Sequence, residues 1–453
     1  MARRITALLR PALAVSLAIA GCATEGKLPL PTASALAPGV ASLIRTRPGA
    51  PPIPADAKLS PAEVAILAVQ NSPDLRAART RRGVTEAQVI QAGLLPDPVL
   101  AGSYNVLLAG PGIANAIGAT LTADITALIL RPARRRAAEA AARQADADIV
   151  WQEWQTASRA QTLAIDLIEQ GRALRLIDET LAVLRRRNAI TNNALAEGNT
   201  TVQAIAPFAV ELTALQTEAY IARLALEQNW QALDALLGLQ PSVRPALSDR
   251  IAIPVISPAD AAALIESLPR RRPDLVALQF GYESEEQTLR LAILAQFPAL
   301  TLGPNYGNDT TRVQSLGPSI SVALPLFNRN QGQVAFDRAT RAQLREEYAA
   351  RLATAEGGAR ALLANLALLE RELEEARSGL GAARRLAAEA ETGLNAGLLD
   401  ELAYVQLVTA RLGKERQVIG LEQQELDQRI ALATLLAAGL PPMRVDAQPA
   451  GRT

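Results

Sequence analysis

The second half of this chain repeats the first at a distance of roughly 200 residues, and this duplication constrains the fold more than any single motif. Ser72-Pro73-Asp74-Leu75 returns as Arg272-Pro273-Asp274-Leu275. A period of this length is far longer than the units of solenoid proteins, which are about 20–50 residues. The duplication therefore predicts two similar structural halves, at residues 59–245 and 256–441.

Each half contains a stretch in which apolar and polar residues alternate. The alternation covers residues 117–129 in the first half and 320–326 in the second. A period of two is typical of a β-strand with one apolar and one polar face. A weaker strand pattern and a turn precede each stretch. We therefore predict one β-hairpin per half, at about 98–129 and about 299–327.

Long heptad patterns follow both hairpins. From Leu362 to Leu394 the apolar residues are spaced alternately by four and three, and a similar pattern with polar interruptions runs from Leu163 to Leu195. Such a seam predicts a coiled coil. Each pattern ends close to a glycine and a second helical pattern then runs back, which predicts a turn between antiparallel helices. The fold class is therefore mainly α, with long helical hairpins and two β-hairpins per chain.

The N-terminal residues have the pattern of an export signal. Arginines precede an apolar run at residues 11–20, which is too short to span a bilayer. The run ends in Ile19-Ala20-Gly21-Cys22, which resembles a bacterial lipoprotein signal. We predict a signal peptide at 1–21, lipid attachment at Cys22 and a proline-rich tether at 22–58. An ordinary secretory signal with a chance cysteine is the alternative.

The composition argues against an enzyme. The chain has no histidine, one cysteine and two methionines, which removes the usual general bases, Ser-His and Cys-His nucleophiles and soft metal ligands. Carboxylate-only chemistry survives, but the acidic residues are spread along helical patterns. A net charge of +1 gives no reason to expect nucleic acid. We predict no catalytic residues, no metal site and no cofactor.

Taken together, the duplicated pairs of hairpins resemble the TolC-like outer-membrane factor family over residues 59–441. The sharpest local match is the phrase Leu324-Pro325-Leu326-Phe327-Asn328-Arg329-Asn330-Gln331-Gly332. It is similar to members that serve heavy-metal and drug efflux systems of the resistance-nodulation-division type.

The resemblance implies a homotrimer with a 12-stranded β-barrel, continued by an α-helical barrel across the periplasm. It also implies a lipid-anchored protein of the outer membrane, with a periplasmic adaptor and an inner-membrane pump as partners. Its function would be that of an exit duct that passively conducts what the pump exports. Two alternatives stay open: the outer-membrane duct of a type I protein secretion system, and a non-conducting periplasmic coiled-coil scaffold. The alternating hairpins argue against the scaffold.

The same resemblance assigns roles to the helical tips. The aspartates that narrow the aperture in some relatives are missing at the aligned positions Ala403 and Gln406. Asp400 and Glu401, one turn closer to the tip, are instead the candidate aperture charges, although Asp400 could simply cap a helix and Glu401 favour its dipole. Residues 442–453 are a C-terminal tail. The residues implied to meet the adaptor are Gly198, Asn199, Thr200, Gly397, Leu398 and Leu399.

We predict structural roles for the arginine triplets and the tryptophans. The triplets at 134–136, 185–187 and 270–272 are predicted to be solvated helix surface. Trp151, Trp154 and Trp230 are predicted to be packing or interface residues.

Overall fold

A computed structural model describes residues 26–43, 54 and 57–443. Cys22, the signal peptide and the end of the C-terminal tail lie outside the described residues. Residues 26–36 belong to a compact unit of their own, and they contain neither helix nor strand. The second unit, from residue 37 onward, contains both repeats and is described by itself below.

The two repeats have the same order of elements. The first contains α1 (Pro61–Asn71), α2 (Pro73–Gly93), β1 (Val99–Asn105), β2 (Ala116–Asp124), α3 (Ile125–Ala196) and α4 (Val202–Leu237). The second contains α5 (Pro258–Arg271), α6 (Pro273–Leu294), β3 (Ala299–Asn308), β4 (Gln314–Ala323), α7 (Gln331–Asn395) and α8 (Glu401–Leu435). The predicted fold class is confirmed: the chain is mainly helical, with few antiparallel strands.

A serine and a proline separate the two short helices of the first repeat. Ser72 ends α1, and its side chain accepts a hydrogen bond from the backbone N–H of Leu75 in α2. Pro73 follows at the first position of α2, where its missing N–H costs nothing. In the second repeat Arg272 and Pro273 make the corresponding break. In both repeats one helix therefore ends and the next begins at the repeated Pro-Asp-Leu sequence.

The strands end earlier than the alternation predicts. β2 ends at Asp124 rather than near 129, because the Asp124 carboxylate accepts a hydrogen bond from the N–H of Ala127 at 2.9 Å and caps α3. Beyond the cap Ala127 and Leu130 are buried at a spacing of three, which is a helical period. β4 likewise ends at Ala323 rather than near 327. The first predicted hairpin end was too late because the apolar residues after Asp124 fit both periods, whereas residues 324–330 after β4 form neither strand nor helix.

The longest helices set the length of this second unit. α3 has 72 residues and α7 has 65, which corresponds to about 100 Å each at about 1.5 Å per residue. α4 and α8 return along them from turns at Gly198 and Gly397, whose φ angles of 77° and 72° favour glycine. Among the described residues, no helix has the length and apolar content needed to cross a membrane.

The two helical hairpins pack side by side with both turns at the same end. One buried cluster there contains Leu184 of α3, Phe208 of α4, Ala390 of α7 and Val405 of α8. The strands leave the opposite end of α3 and α7. They form one antiparallel sheet of order β1-β2-β3-β4, in which β2 and β3 join the repeats. The sheet and the turns therefore lie at opposite ends of the helical body.

Candidate functional site: a two-faced sheet and two helical tips

The register of the sheet places its apolar side chains on one face. Directly opposed residues of antiparallel strands point to the same side, and Leu100 pairs with Leu121, Ala123 with Leu302, and Leu302 in turn with Ile320. The large apolar residues of this face are Leu100, Tyr104, Ile117, Leu121, Leu302, Tyr306, Leu316, Ile320 and Val322. Together they form a continuous apolar surface across both repeats, which we call the apolar face.

The opposite side of the sheet is polar. Thr120 pairs with Asn305, and its hydroxyl donates to the Asn305 side-chain oxygen at 2.9 Å. Thr301 pairs with Ser321. The polar members of this face are Ser103, Asn105, Thr120, Thr122, Thr301, Asn305, Ser315, Ser319 and Ser321. The alternation seen in the sequence therefore corresponds to two chemically distinct faces.

The apolar face is not covered by the chain. Leu316 is 78 % exposed and Ile320 is 65 % exposed. Contiguous apolar surface of this kind marks a contact with another protein or with lipid. The two outer strands, β1 and β4, have no second strand partner within the described residues. Their outward backbone groups are therefore available for pairing with another chain.

The phrase at 324–332 connects the sheet to α7. Asn330 has a left-handed backbone (φ 56°), which asparagine tolerates better than most residues, and its side-chain N–H donates to the carbonyl of Ala292 at 2.9 Å. The preceding Phe327 is 96 % exposed. Asn330 thus fixes the start of α7 against α6 while the apolar part of the phrase stays at the surface.

The two helical tips have similar backbones and different side chains. At the first tip, the N–H of Asn199 donates to the carbonyl of Ala194 at 2.8 Å, and its side chain donates to Glu197; Thr200 follows and is half-buried. At the second, the N–H of Leu398 makes the equivalent bond to Gly393 at 2.8 Å. Leu398 is 84 % exposed, whereas Leu399 packs against the buried tip cluster. The second tip therefore presents a leucine to solvent.

The two candidate aperture acids have different environments. Asp400 is exposed, and its carboxylate accepts a hydrogen bond from the N–H of Ala403 at 2.7 Å, so it caps α8. The Glu401 carboxylate lies 3.6 Å from the guanidinium of Arg187. That guanidinium also lies over the ring of Tyr404, 5.3 Å from its centroid. The charge of Glu401 is therefore compensated within the chain, by a contact that no local sequence pattern indicates.

Arg272 corrects the interpretation of the third arginine triplet. Its guanidinium donates to the buried Asp274 carboxylate at 2.7 Å and lies 4.8 Å from the centroid of a Trp151 ring. Its side chain is only 12 % exposed, so Arg272 links the start of α6 to α3 and is not solvated surface. Arg135 of the first triplet forms an exposed pair with Glu139. The sequence missed the Arg272 contact because Trp151 lies in the other repeat.

The tryptophans have structural contacts. The indole N–H of Trp154 donates to the carbonyl of Thr434 at 3.0 Å, and the guanidinium of Arg244 lies over the ring of Trp230. In the part of the chain that the structure describes, no group of three or more acidic or cysteine side chains could hold a metal ion.

Comparison with known proteins finds a family match in the second repeat and a fold likeness over most of the chain. Residues 264–438 match the outer membrane efflux protein family. No curated protein sequence is significantly similar to the chain. The family match confirms, for the second repeat, the resemblance to outer membrane efflux proteins that the sequence predicts.

Solved structures share the fold along nearly their whole length. CusC, described in connection with transmembrane channel formation, is 16 % identical, with 92 % of this chain and 99 % of CusC covered at a TM-score of 0.68. The outer membrane protein VceC of Vibrio cholerae is 20 % identical, with 84 % and 96 % covered at 0.68. The CmeC outer membrane channel of Campylobacter jejuni is 15 % identical, with 92 % and 95 % covered at 0.69.

Proposed function

We propose that this chain is the outer-membrane exit duct of a tripartite efflux system. In this proposal copies of the sheet close into a β-barrel in the outer membrane, and the helices continue it as a tube through the periplasm. Substrates delivered by an inner-membrane pump pass through the tube without a cofactor. The observation that carries the proposal is the sheet, with its exposed apolar face, its polar opposite face and its two open edges.

The open edges require more than one copy. Each backbone N–H or C=O left unpaired in lipid costs several kcal/mol, so a sheet in the membrane must close on itself. Membrane barrels have at least about eight strands, and this chain supplies four. Three copies would give twelve strands, the number that the family resemblance implies. The apolar face would then meet lipid and the polar face would line the water-filled lumen.

The duplication indicates which surfaces the copies would share. Within the chain, α3 packs along α6 and α8, and β2 pairs with β3. If the two repeats exchange roles, the corresponding contacts are those of α7 with α2 and α4, and that of β4 with β1. None of these three is a packed interface within the described residues. A neighbouring copy would supply all three at once, through a heterologous contact that forms a ring.

Exposed apolar side chains on these helices support the assignment. Val84 and Ile90 are exposed on α2, Val210 and Ile221 on α4, and Phe336 on α7. Each would be buried if α7 of one copy packed against α2 and α4 of the next. We therefore propose a homotrimer in which the second repeat of one chain contacts the first repeat of its neighbour.

We assign the adaptor to one end of the helical body and the outer membrane to the other. The tips at Gly198 and Gly397 would meet the periplasmic adaptor, with Leu398 as an apolar contact, and the adaptor would connect them to the pump. A lipid on Cys22 would anchor the N-terminus in the outer membrane. Mass spectrometry should then find an acylated Cys22 as the mature N-terminal residue, whereas an unmodified start elsewhere would disprove the anchor.

Asp400 would carry the charge of the aperture. Threefold symmetry would place three copies of Asp400 near the narrow end, while Glu401 stays compensated by Arg187. Such a ring would attract cations at low salt and be screened at high salt. Asp400→Asn can keep the cap and removes the charge, so cation selectivity of single channels should fall. Glu401→Gln should change it less, and unchanged selectivity in Asp400→Asn would show that Asp400 is only a cap.

Conductance separates the proposed duct from the scaffold. The purified full-length protein, inserted into planar bilayers, should produce discrete conductance steps. A protein that inserts and never conducts would support the scaffold instead. A type I secretion duct would also conduct, and binding assays with candidate adaptors of either system would distinguish these two.

A further inference from the structure

Polar side chains make much of the contact between the repeats along α3 and α8. The hydroxyl groups of Thr434 on α8 and Ser158 on α3 share a hydrogen bond at 2.6 Å. Closer to the tips, the Gln423 side-chain amide of α8 donates to an oxygen of Asp166 on α3 at 2.5 Å. The seam inside the second hairpin is instead made of apolar residues such as Leu373. At this level of α3 and α8, hydrogen bonds therefore contribute to the contact between the repeats.

A second aspartate lies on the same face of α8. Asp427 follows Gln423 by four residues, one helical turn, so both side chains face the same way. One carboxyl oxygen of Asp427 is buried and has no hydrogen-bond partner within the described residues. Burial and then the negative charge of Asp166 raise the pKa of Asp427 to about 7. Burial also raises the pKa of Asp166, and the bond from Gln423 opposes this.

The neighbouring charged groups are engaged elsewhere. No basic residue contributes to the shift of the Asp427 pKa. The pairs formed near this level by side chains of α3, α4, α7 and α8 include Gln170–Asn229, Glu169–Arg172, Arg172–Glu422, Arg377–Glu422, Arg429–Glu425 and Arg429–Glu370. The nearby arginines thus bond to glutamates and leave the two aspartates uncompensated.

We propose that Asp166, Gln423 and Asp427 form a proton-dependent joint between the two repeats. With a proton on Asp427, the contact holds one negative charge, which Gln423 stabilises. Without that proton, two like charges face each other between α3 and α8, and the contact loosens. The joint lies between the sheet and the tips, so its state would affect how firmly the second hairpin is held against the first.

The direction of the pH effect follows from linkage. An aspartate has a pKa of about 3.8 when unfolded, and that of Asp427 is raised to about 7 in the folded chain. The folded state therefore binds more protons between these values. The contribution of Asp427 to stability is complete below about pH 4 and is lost as the pH rises through about 7. The joint is tighter in mild acid than in mild base.

Hydrogen exchange of the full-length protein in detergent tests this joint. After correction for the intrinsic rates, backbone amides at 160–170 and 420–430 should lose protection by about tenfold between about pH 5.5 and about pH 8.5. Asp427→Asn should abolish this dependence. Asp178→Asn is the matched control, because Asp178 forms an exposed pair with Arg223, and it should keep the wild-type response. The same response in Asp427→Asn as in the wild type would overturn the proposal.

A second variant gives an independent readout. Asp166→Asn removes the repulsion but keeps a polar partner for Gln423, so the midpoint of the exchange response should move to lower pH. An unchanged midpoint would contradict the coupling between the two aspartates. A wild-type protein with no pH response in these segments would overturn the joint even if neither variant folds.

Discussion

The helical body and the sheet differ in how far their apolar side chains are exposed. In the body Leu181 of α3, Leu233 of α4 and Leu432 of α8 are fully buried by other parts of the same chain. In the sheet Leu100, Leu316 and Ile320 are exposed although the strands are well paired. The body thus buries much of its apolar core within one chain. The strands of the sheet are paired in a regular register, but the apolar face of the sheet is left exposed. In the proposed duct, lipid and further copies would cover the exposed surface of the sheet.

The largest effect should come from the core of the body. Leu181→Ala removes a fully buried side chain from the tip cluster and should lower the free energy of unfolding by about 2–5 kcal/mol. Leu398→Ala at the exposed tip is the control and should change it by less than about 0.5 kcal/mol. Denaturant unfolding of both variants measures the difference. Similar losses would mean that the body is not packed as described.

Substitutions in the sheet should have the next largest effect, and only when the protein is inserted in a membrane. Leu121→Arg or Val322→Arg on the apolar face should cost about 2–4 kcal/mol near the bilayer midplane and less near its edges. The neighbouring changes Thr122→Arg and Ser321→Arg put the same charge on the polar face and should be much milder. Refolding into lipid vesicles measures all four. Equal tolerance of both faces would remove the distinction between them.

The smallest effect should come from the tip of the second hairpin. Asp400→Ala removes the side chain that caps α8 and should cost about 0.5–2 kcal/mol of helix stability. Asp400→Asn should keep most of this stability because asparagine is also a good cap. Hydrogen exchange of the first turn of α8 reports the loss. If both variants lost protection equally, the charge of Asp400 rather than its cap would stabilise the helix end.

Periodicity explains which parts of the fold the sequence predicts. The seam at 362–394 and the alternating strands follow from spacings of 3.5 and two residues, so the helical hairpins and the two-faced sheet were predictable. The end of β2 at Asp124 was not, because the apolar residues after it fit a strand and a helix equally well. An N-cap aspartate directly before them was the available signal.

Contacts between the repeats could not be predicted from local patterns. Arg272 meets Trp151, Arg187 meets Glu401, and Gln423 meets Asp166. The partners of each pair are distant in sequence, and no local pattern links one partner to the other. Only the packing of α3 against α6 and α8 brings these side chains together.

Cross-linking of the two open edges tests the central claim, that the sheet closes with copies of itself. Cysteines at Ser103 on β1 and Ser319 on β4 lie on the polar face, and a short bifunctional reagent can bridge them between neighbouring strands. The chain has no cysteine other than Cys22, so unwanted products are few. In membranes the double variant should yield covalent species of two and three copies and nothing larger, while each single variant yields none. Products limited to monomers, ending at two, or growing beyond three would contradict a closed trimeric barrel.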